Sequence, residues 1–287
     1  MLKKRVIVPK SFTFKKSNIA DCITFFNEIL NVKNTKISID YSNIIQIDKF
    51  SVLLLIAHFQ RSQTKGNEFL RTGKLPLNKK ARAILQNSKG MEVFNKNVPK
   101  TTNNKDIKKD DLLNPNVIDG IIKNLKEIGA STYYYPFYNF LQEVIGNAVE
   151  HGIKEKKIQW YILQDLDRKN KKMTYCFVDL GKGIVNSHKE AKLPFKYRFL
   201  PNRRIVADSI QGKLLSSTKD PNRGRGLPEI YQLIRNKEIG EVNLITNTVS
   251  LHFENNKIIT KDIPNFNGTC FIWSINYENY TTWMNTL

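Results

Sequence analysis

The chain has few of the residues that form disulfides or bind transition metals. Its 287 residues include 3 cysteines and 4 histidines. Cys22, Cys176 and Cys270 lie far apart, and no CxxC pair or cluster of Cys with His occurs. The pattern therefore indicates neither a zinc site nor a disulfide framework, and it favours reduced thiols in the cytoplasm.

Long apolar runs are also lacking. The longest, Val52 to Ala57, is far too short to cross a bilayer, which needs about 20 apolar residues. The first residues, MLKKRVIVPKSF, contain no sustained apolar stretch, so we expect no signal peptide. We therefore expect a cytoplasmic protein that does not enter a membrane.

Acidic residues are scarce beside basic ones. The sequence has 46 Lys and Arg against 26 Asp and Glu, for a net charge of +20. Such a charge suits nucleic acid, an acidic membrane surface or a small polyanionic ligand. The basic residues are mostly lysine and asparagine is abundant, a combination that an AT-rich genome produces without selection for a polyanion. Nucleic acid is therefore an open partner that the composition does not favour.

Strands and helices alternate over residues 1–94, which predicts a small α/β layer domain. The predicted strands are Arg5 to Val8, Lys36 to Asp40 and Glu68 to Arg71, and the predicted helices are Asn18 to Leu30, Asp48 to Gln63 and Asn78 to Gln86. Residues 95–112 are polar and charged without periodicity. We expect them to form a linker to a second domain.

One stretch of the first domain, ISIDYSNIIQIDKFSVLLLIAHFQRSQTKGNEF, contains a strand that ends at Asp40 and a helix that opens at Asp48. Over about Lys36 to Phe94 the chain resembles the STAS fold of anti-sigma-factor antagonists. That family phosphorylates a serine two residues after the second aspartate, and Phe50 occupies that position here. The resemblance implies a docking module, and the departure makes a phospho-switch doubtful. Ser51 is interpreted as an ordinary early-helix serine.

The second half of the chain, residues 113–287, is organised around the predicted helix Phe137 to Gly152. At 3.6 residues per turn, Glu143, Asn147 and His151 lie on one stripe, next to an apolar stripe that can pack on a sheet. A carboxylate one turn before an amide can hold hydrated Mg²⁺ and orient a nucleophile beside a polyphosphate. The alternative is an amphipathic helix with an ordinary polar edge.

A short motif follows a predicted β-hairpin. The strands Ile158 to Leu163 and Met173 to Val178 are joined by a polar turn. The second strand ends at Asp179, and Gly181 and Gly183 come directly after it. Glycines at these places let the backbone approach a ligand closely.

A second glycine motif opens a later helix. Gly224, Arg225 and Gly226 precede an apolar helical pattern, and Arg223 adds charge. Free N–H groups and the helix dipole at such a start favour phosphate. The long basic segment between the two glycine motifs, Val185 to Arg223, is weakly periodic. We predict a lid that orders on a triphosphate, rather than a nucleic-acid arm.

The remaining predicted elements are a helix and three strands. They are Val117 to Ile128, Val242 to Thr246, Ser250 to Glu254 and Thr269 to Ile275. The order ExxxNAxxHG, DxGxG, GxGL and NGT before the last strand resembles the GHKL ATPases, over about Val117 to Ile275. The form with Glu and His-Gly is that of the anti-sigma-factor serine kinases. The resemblance implies a two-layer α/β sandwich, with a mixed, mostly antiparallel sheet and helices on one face.

The GHKL resemblance also implies roles for individual residues. Glu143 would be the general base, Asn147 would bind Mg²⁺, and Asp179 would accept a hydrogen bond from the adenine amino group. Further nucleotide-binding positions are implied at His151, Gly181, Gly183, Arg223, Gly224, Arg225, Gly226 and Thr269. The implied cofactors are ATP and Mg²⁺.

Three functions stay open. The preferred one is a cytosolic ATPase or serine kinase that regulates a protein partner, with the STAS-like domain as its docking module. The others are an ATPase that works near nucleic acid in a defence or repair complex, and an ATP-dependent scaffold without turnover. A histidine kinase is disfavoured because no long heptad segment precedes the ATPase motifs. A MutL or gyrase type would need a transducer domain, and no element is predicted after Ile275. A homodimer is left open.

Overall fold

The computed structural model of the protein describes residues 2–14, 17–70, 74–87, 107–152, 159–214, 226–255 and 257–287, without the side chains of residues 87, 151 and 152. The chain divides into two compact units, Met1–Ile107 with Ile263–Asn265, and Lys108–Asp262 with Phe266–Leu287. The division after residue 107 falls inside the predicted linker. Within the described ranges, no helix combines the length and the apolar character needed to cross a membrane.

The first unit is a small α/β structure, as predicted, but it contains two short strands, Ser11–Phe12 and Gln46–Ile47, that were not predicted. Its elements are β1 (Leu2–Ile7), β2 (Ser11–Phe12), α1 (Ile19–Leu30), β3 (Thr35–Asp40), β4 (Gln46–Ile47), α2 (Lys49–Gln63), β5 (Glu68–Leu70) and α3 (Lys79–Asn87). Three strands form a parallel sheet in the order β1-β3-β5, and β2 pairs in parallel with β4. Parallel strands joined by helices are typical of such layer domains.

The start of α2 is held by a side-chain cap. Asp48 accepts hydrogen bonds from the backbone nitrogen of Ser51 at 2.7 Å and from its hydroxyl at 2.8 Å. Ser51 is fully buried. The hydroxyl therefore completes the cap, as the interpretation of an early-helix serine predicts.

The second unit consists of a five-stranded sheet and the helices that accompany it. Its elements are β6 (Ile107–Asp110), α4 (Pro115–Lys123) with a 3₁₀ turn (Asn124–Ile128), α5 (Tyr135–Gly152), β7 (Trp160–Asp167), β8 (Lys172–Asp179), α6 (Gly183–Glu190), a second 3₁₀ turn (Phe195–Tyr197), α7 (Asn202–Ile210), α8 (Gly226–Arg235), β9 (Gly240–Glu254), β10 (Lys257–Asn276) and α9 (Tyr277–Met284). The strand order is β6-β7-β8-β10-β9, and β7, β8, β10 and β9 are antiparallel neighbours. The predicted α+β class with a mostly antiparallel sheet is confirmed.

Aromatic side chains join α5 to the sheet. Tyr175 of β8 and Trp273 of β10 stack with ring centroids 5.3 Å apart. Phe137 lies 4.9 Å from Tyr175, and Phe140 lies 4.8 Å from Trp273. All four belong to one buried cluster. These aromatic contacts fix the position of α5, which carries the predicted site residues, against the sheet, because aromatic side chains contribute most to core packing energy.

The segment predicted as a linker contains a strand. Residues Ile107–Asp110 form β6 at one edge of the five-stranded sheet. The expectation of irregular structure is wrong for these four residues. An edge strand needs hydrogen bonds on one side only and tolerates lysine, so its sequence resembles that of a loop. Residues 95–106 lie outside the described residues.

The last two strands are longer than predicted. A single strand, β9, replaces the two predicted strands at Val242 to Thr246 and Ser250 to Glu254. The expected break coincides with Asn247, which has a φ of 49° and lies at a shift of register. β10 begins at Lys257 rather than Thr269, because its polar first half pairs with β9 in a hairpin.

A helix follows the last strand, contrary to expectation. The helix α9 is opened by a capping box, in which Asn276 and Asn279 each accept a hydrogen bond from the other's backbone nitrogen. The sequence does not indicate this helix, because the usual capping box has Ser or Thr at the first position and Glu or Gln at the fourth.

The segment predicted as a lid is folded in its described part. It holds most of α6, the second 3₁₀ turn and α7. Seven of its buried side chains belong to the main hydrophobic cluster: Val185, Leu193, Tyr197, Ile205, Val206, Ile210 and Leu214. The lid prediction is wrong for residues 185–214, where short helices separated by turns produce a weak period. Residues 215–223 lie outside the described part of the chain.

Candidate functional site

The structure brings three of the predicted residues together at the contact of α5 with α8. Glu143 and Asn147 lie one turn apart on α5, and Gly226 is the first residue of α8. A Cβ atom on Gly226 would overlap Oε2 of Glu143 and would lie 3.2 Å from Nδ2 of Asn147. The absence of a side chain at Gly226 therefore allows a helix N-terminus to approach a carboxylate and an amide.

Glu143 has a neighbour that the sequence did not reveal. This neighbour is Glu229, in the first turn of α8. Its side chain forms a hydrogen bond with the carboxyl group of Glu143. Burial, together with the charge and hydrogen bond of Glu229, raises the pKa of Glu143. A carboxylate whose pKa is raised towards neutrality is a better general base. The only sequence signal for Glu229 was its place one turn after Gly226.

The amide of Asn147 has unused hydrogen-bonding capacity. Within the described residues, its Nδ2 atom is buried without a hydrogen-bond partner. A buried unpaired polar group costs about 1–3 kcal/mol, so such groups are rare without a functional reason. Rotation about the terminal bond exchanges the amide oxygen and nitrogen, and the oxygen is a ligand that Mg²⁺ accepts. The residue thus fits the metal role that the GHKL resemblance implies.

A second group of predicted residues surrounds the end of β8. Asp179 of β8 pairs with Thr269 of β10, which pairs in turn with Thr246 of β9. Asp179 accepts hydrogen bonds from the backbone nitrogen of Gly181 at 2.9 Å and from the hydroxyl of Thr269. Burial nevertheless raises the pKa of Asp179 to about 6. Asp179, Thr269 and Thr246 therefore form a row across three strands, and the hydrogen bonds fix the orientation of the buried carboxyl group of Asp179.

The glycine loop after Asp179 is held by residues of β9. Asn247 accepts a hydrogen bond from the nitrogen of Val185 at 3.0 Å and donates one to the oxygen of Lys182 at 2.8 Å. The hydroxyl of Thr246 accepts from the nitrogen of Ile184 at 2.9 Å. Thr246 and Asn247 therefore satisfy backbone groups at the start of α6. Neither residue is predictable from the sequence, because each is more than 60 residues away from the loop that it contacts.

The conformation of this loop predicts a large effect of Gly183→Ala. Gly183 has a φ of 75°, and a Cβ there would lie 2.5 Å from Oδ1 of Asn247 and 2.7 Å from the oxygen of Gly268. We expect the substitution to lower the free energy of unfolding by about 2–5 kcal/mol, from backbone strain and overpacking. The urea midpoint measures this.

The matched control for that substitution is Gly120→Ala. Gly120 lies in α4, and a Cβ there would meet nothing within 4 Å. We expect stabilisation by about 0.5–1 kcal/mol, because alanine favours a helix interior. A Gly183→Ala protein with the midpoint of the wild type would contradict the loop geometry.

The other predicted positions are less well defined. His151 lies in the last turn of α5 as predicted, but its side chain is outside the described part. Arg223, Gly224 and Arg225 also fall outside the described residues. Within the described ranges, no group of three or more His, Cys, Asp and Glu side chains is placed to hold a metal.

No protein-family model matches the chain, and no curated protein matches it. The interpretation of the site therefore depends on its own residues and their contacts.

Proposed function

We propose that the second unit binds ATP with Mg²⁺ and that the protein is a GHKL-type ATPase or serine kinase, acting on a protein partner in the cytoplasm. The observation that carries the proposal is the meeting of Glu143, Asn147 and Gly226. A helix N-terminus supplies N–H groups for phosphate, an amide supplies a metal ligand, and a carboxylate supplies a base. These are the groups that phosphoryl transfer to water or a hydroxyl requires.

Each residue has a distinct part in the proposed reaction. Asn147 would hold Mg²⁺ together with phosphate oxygens and water, and the ion would neutralise phosphate charge. The backbone nitrogen of Gly226 would donate to a phosphate oxygen. Glu143, kept basic by its surroundings, would take the proton of the attacking water or hydroxyl. Deprotonated Asp179 would accept a hydrogen bond from the adenine amino group.

The first unit supports a docking role and does not supply a phosphate acceptor. Ser51 is buried and its hydroxyl donates to Asp48. Phe50 stands where the STAS-like pattern would have its serine. We therefore infer that the acceptor is another protein or water. Labelled γ-phosphate distinguishes the two, because transfer to a captured partner retains the label on protein whereas hydrolysis releases it.

Asn147→Ala tests the metal site. We expect ATP affinity in the presence of Mg²⁺ to fall about 10- to 100-fold, the effect of losing one contact to a charged group. We expect the free energy of unfolding to stay constant or rise, because the substitution removes a buried unpaired amide. Calorimetric titration and a urea curve measure the two quantities.

Asn186→Ala is the matched control, since Asn186 is an exposed asparagine of α6. It should change neither quantity. If Asn147→Ala lowered stability and left Mg²⁺-dependent affinity intact, Asn147 would be a structural residue.

A further inference from the structure

The turn between α6 and α7 exposes two phenylalanines. Phe195 is 73% exposed and Phe199 is 79% exposed. Their rings are neighbours, with centroids 5.5 Å apart and planes at 74°. Large aromatic side chains ordinarily serve cores, so an exposed pair of them marks an interaction surface.

The phenylalanine turn, residues 193–201, is anchored to the second unit. Tyr197, between the two exposed rings in sequence, is buried, and its hydroxyl donates to Asp208 at 3.1 Å. The nitrogen of Tyr197 donates to the oxygen of Pro194 at 2.8 Å, and that of Arg198 donates to the oxygen of Phe195 at 3.2 Å. The exposed rings are thus presented by a turn with its own hydrogen bonds.

Basic residues surround the phenylalanine turn. Residues 191–207 include five basic and no acidic side chains. Arg203 pairs with Asp262 and Arg204 pairs with Asp208. The other three have no ion-pair partner among the described residues: Lys192, Lys196 and Arg198. The surface combines flat apolar rings with uncompensated positive charge.

We propose that the phenylalanine turn binds single-stranded nucleic acid. Unpaired bases would stack on Phe195 and Phe199, while Lys192, Lys196 and Arg198 contact the phosphates. Phenylalanine has no hydrogen-bonding group, so binding would tolerate any sequence. A duplex hides the faces of its bases in the stack and would bind more weakly. This surface does not depend on the proposed ATP site.

A membrane surface is a poorer match for the same residues. Interfacial helices bury a continuous apolar face and keep their cations on the other side. In the phenylalanine turn, Lys196 and Arg198 alternate with the aromatic residues in sequence. The large exposed apolar side chains of the turn are the two rings and Leu200, which is 39% exposed.

The test compares wild type with the double variant Phe195→Leu/Phe199→Leu. Leucine keeps an apolar side chain and removes the ring on which a base stacks. We expect the affinity for a fluorescent 20-nucleotide oligothymidine, measured by anisotropy without ATP, to fall at least about tenfold. Tyr135→Leu is the control, because Tyr135 is an exposed aromatic residue at the start of α5. Its affinity should equal that of the wild type.

A second variant tests the cations. In Lys196→Gln/Arg198→Gln, the dependence of log affinity on log salt should become shallower by about 1.4, since each phosphate contact to a single strand contributes about 0.7. Both double variants alter exposed side chains, so their urea midpoints should match the wild type.

Three results would overturn the proposal. They are unchanged oligonucleotide affinity in the leucine variant, equal affinity of the wild type for duplex and single strand, and absence of oligonucleotide binding. Binding to phosphatidylserine vesicles that survives in the leucine variant, in place of oligonucleotide binding, would identify a membrane surface instead.

Discussion

Replacement of Glu143 by alanine should slow release or transfer of the γ-phosphate by about 10²–10⁴-fold, the usual contribution of a positioned general base. ATP affinity should change little, because the amide of Asn147 and the N-terminus of α8 keep their places. Single-turnover phosphate release and ATP titration of the same preparation separate the two effects. If the variant releases phosphate as fast as the wild type, Glu143 is not the base and a scaffold without turnover becomes the better proposal.

Two further variants sharpen this prediction. Glu150→Ala changes an exposed carboxylate in the last turn of α5 and should leave the rate unchanged. Glu229→Gln removes a charge that raises the pKa of Glu143. Because the deprotonated carboxylate is the base, the rate rises with pH through this pKa. In Glu229→Gln, that rise should move to lower pH.

The second large effect concerns Asp179→Asn and the pH dependence of stability. Burial raises the pKa of Asp179 to about 6, well above the unfolded value of about 3.9. Below about pH 4 both states are protonated, and between about pH 4 and 6 only the folded state keeps the proton. The wild type should therefore lose on the order of 3 kcal/mol of unfolding free energy as pH rises through this window. Asp179→Asn should lack this pH-dependent loss of unfolding free energy, because asparagine does not titrate.

The same variant should lose selectivity for adenine. In the asparagine variant, the single side-chain oxygen would accept the hydrogen bond from the backbone nitrogen of Gly181. The side-chain NH₂ group is only a donor, so it cannot accept a hydrogen bond from the adenine amino group. The ratio of ATP to GTP affinity should fall about 10- to 100-fold. Asp21→Asn, an exposed aspartate of α1, is the control. A pH profile of stability for Asp179→Asn identical to that of the wild type would contradict a buried carboxyl group with a raised pKa.

The parts of the site that lie on one strongly patterned element were predictable from sequence. Helical geometry alone places Glu143 and Asn147 on one stripe of α5. The apolar residues beside this stripe indicate the face of α5 that packs on the sheet. Asp179 was recognised as a strand end because a run of apolar residues stops there and glycines follow. Such signals are local, so no tertiary contact is needed to read them.

Contacts between remote segments were not predictable in the same way. Glu229 meets Glu143, and Asn247 braces the loop of Gly183, only because the sheet and helices bring them together. Edge strand β6 and the first half of β10 also lack a local pattern, since pairing with a neighbour keeps them extended. The packing of residues 185–214 into the core was not predictable for the same reason. Tyr197 lies in a basic segment without a clear apolar pattern, yet its side chain is buried.

Binding of ATP at the site of Glu143, Asn147 and Asp179 is tested most directly by calorimetric titration of the wild-type protein with ATP and GTP, each with and without Mg²⁺. We expect saturable ATP binding that ADP competes for, that weakens when Mg²⁺ is removed, and that is at least about tenfold tighter than GTP binding. Absence of saturable ATP binding, or equal affinities for ATP and GTP, would contradict the assignment.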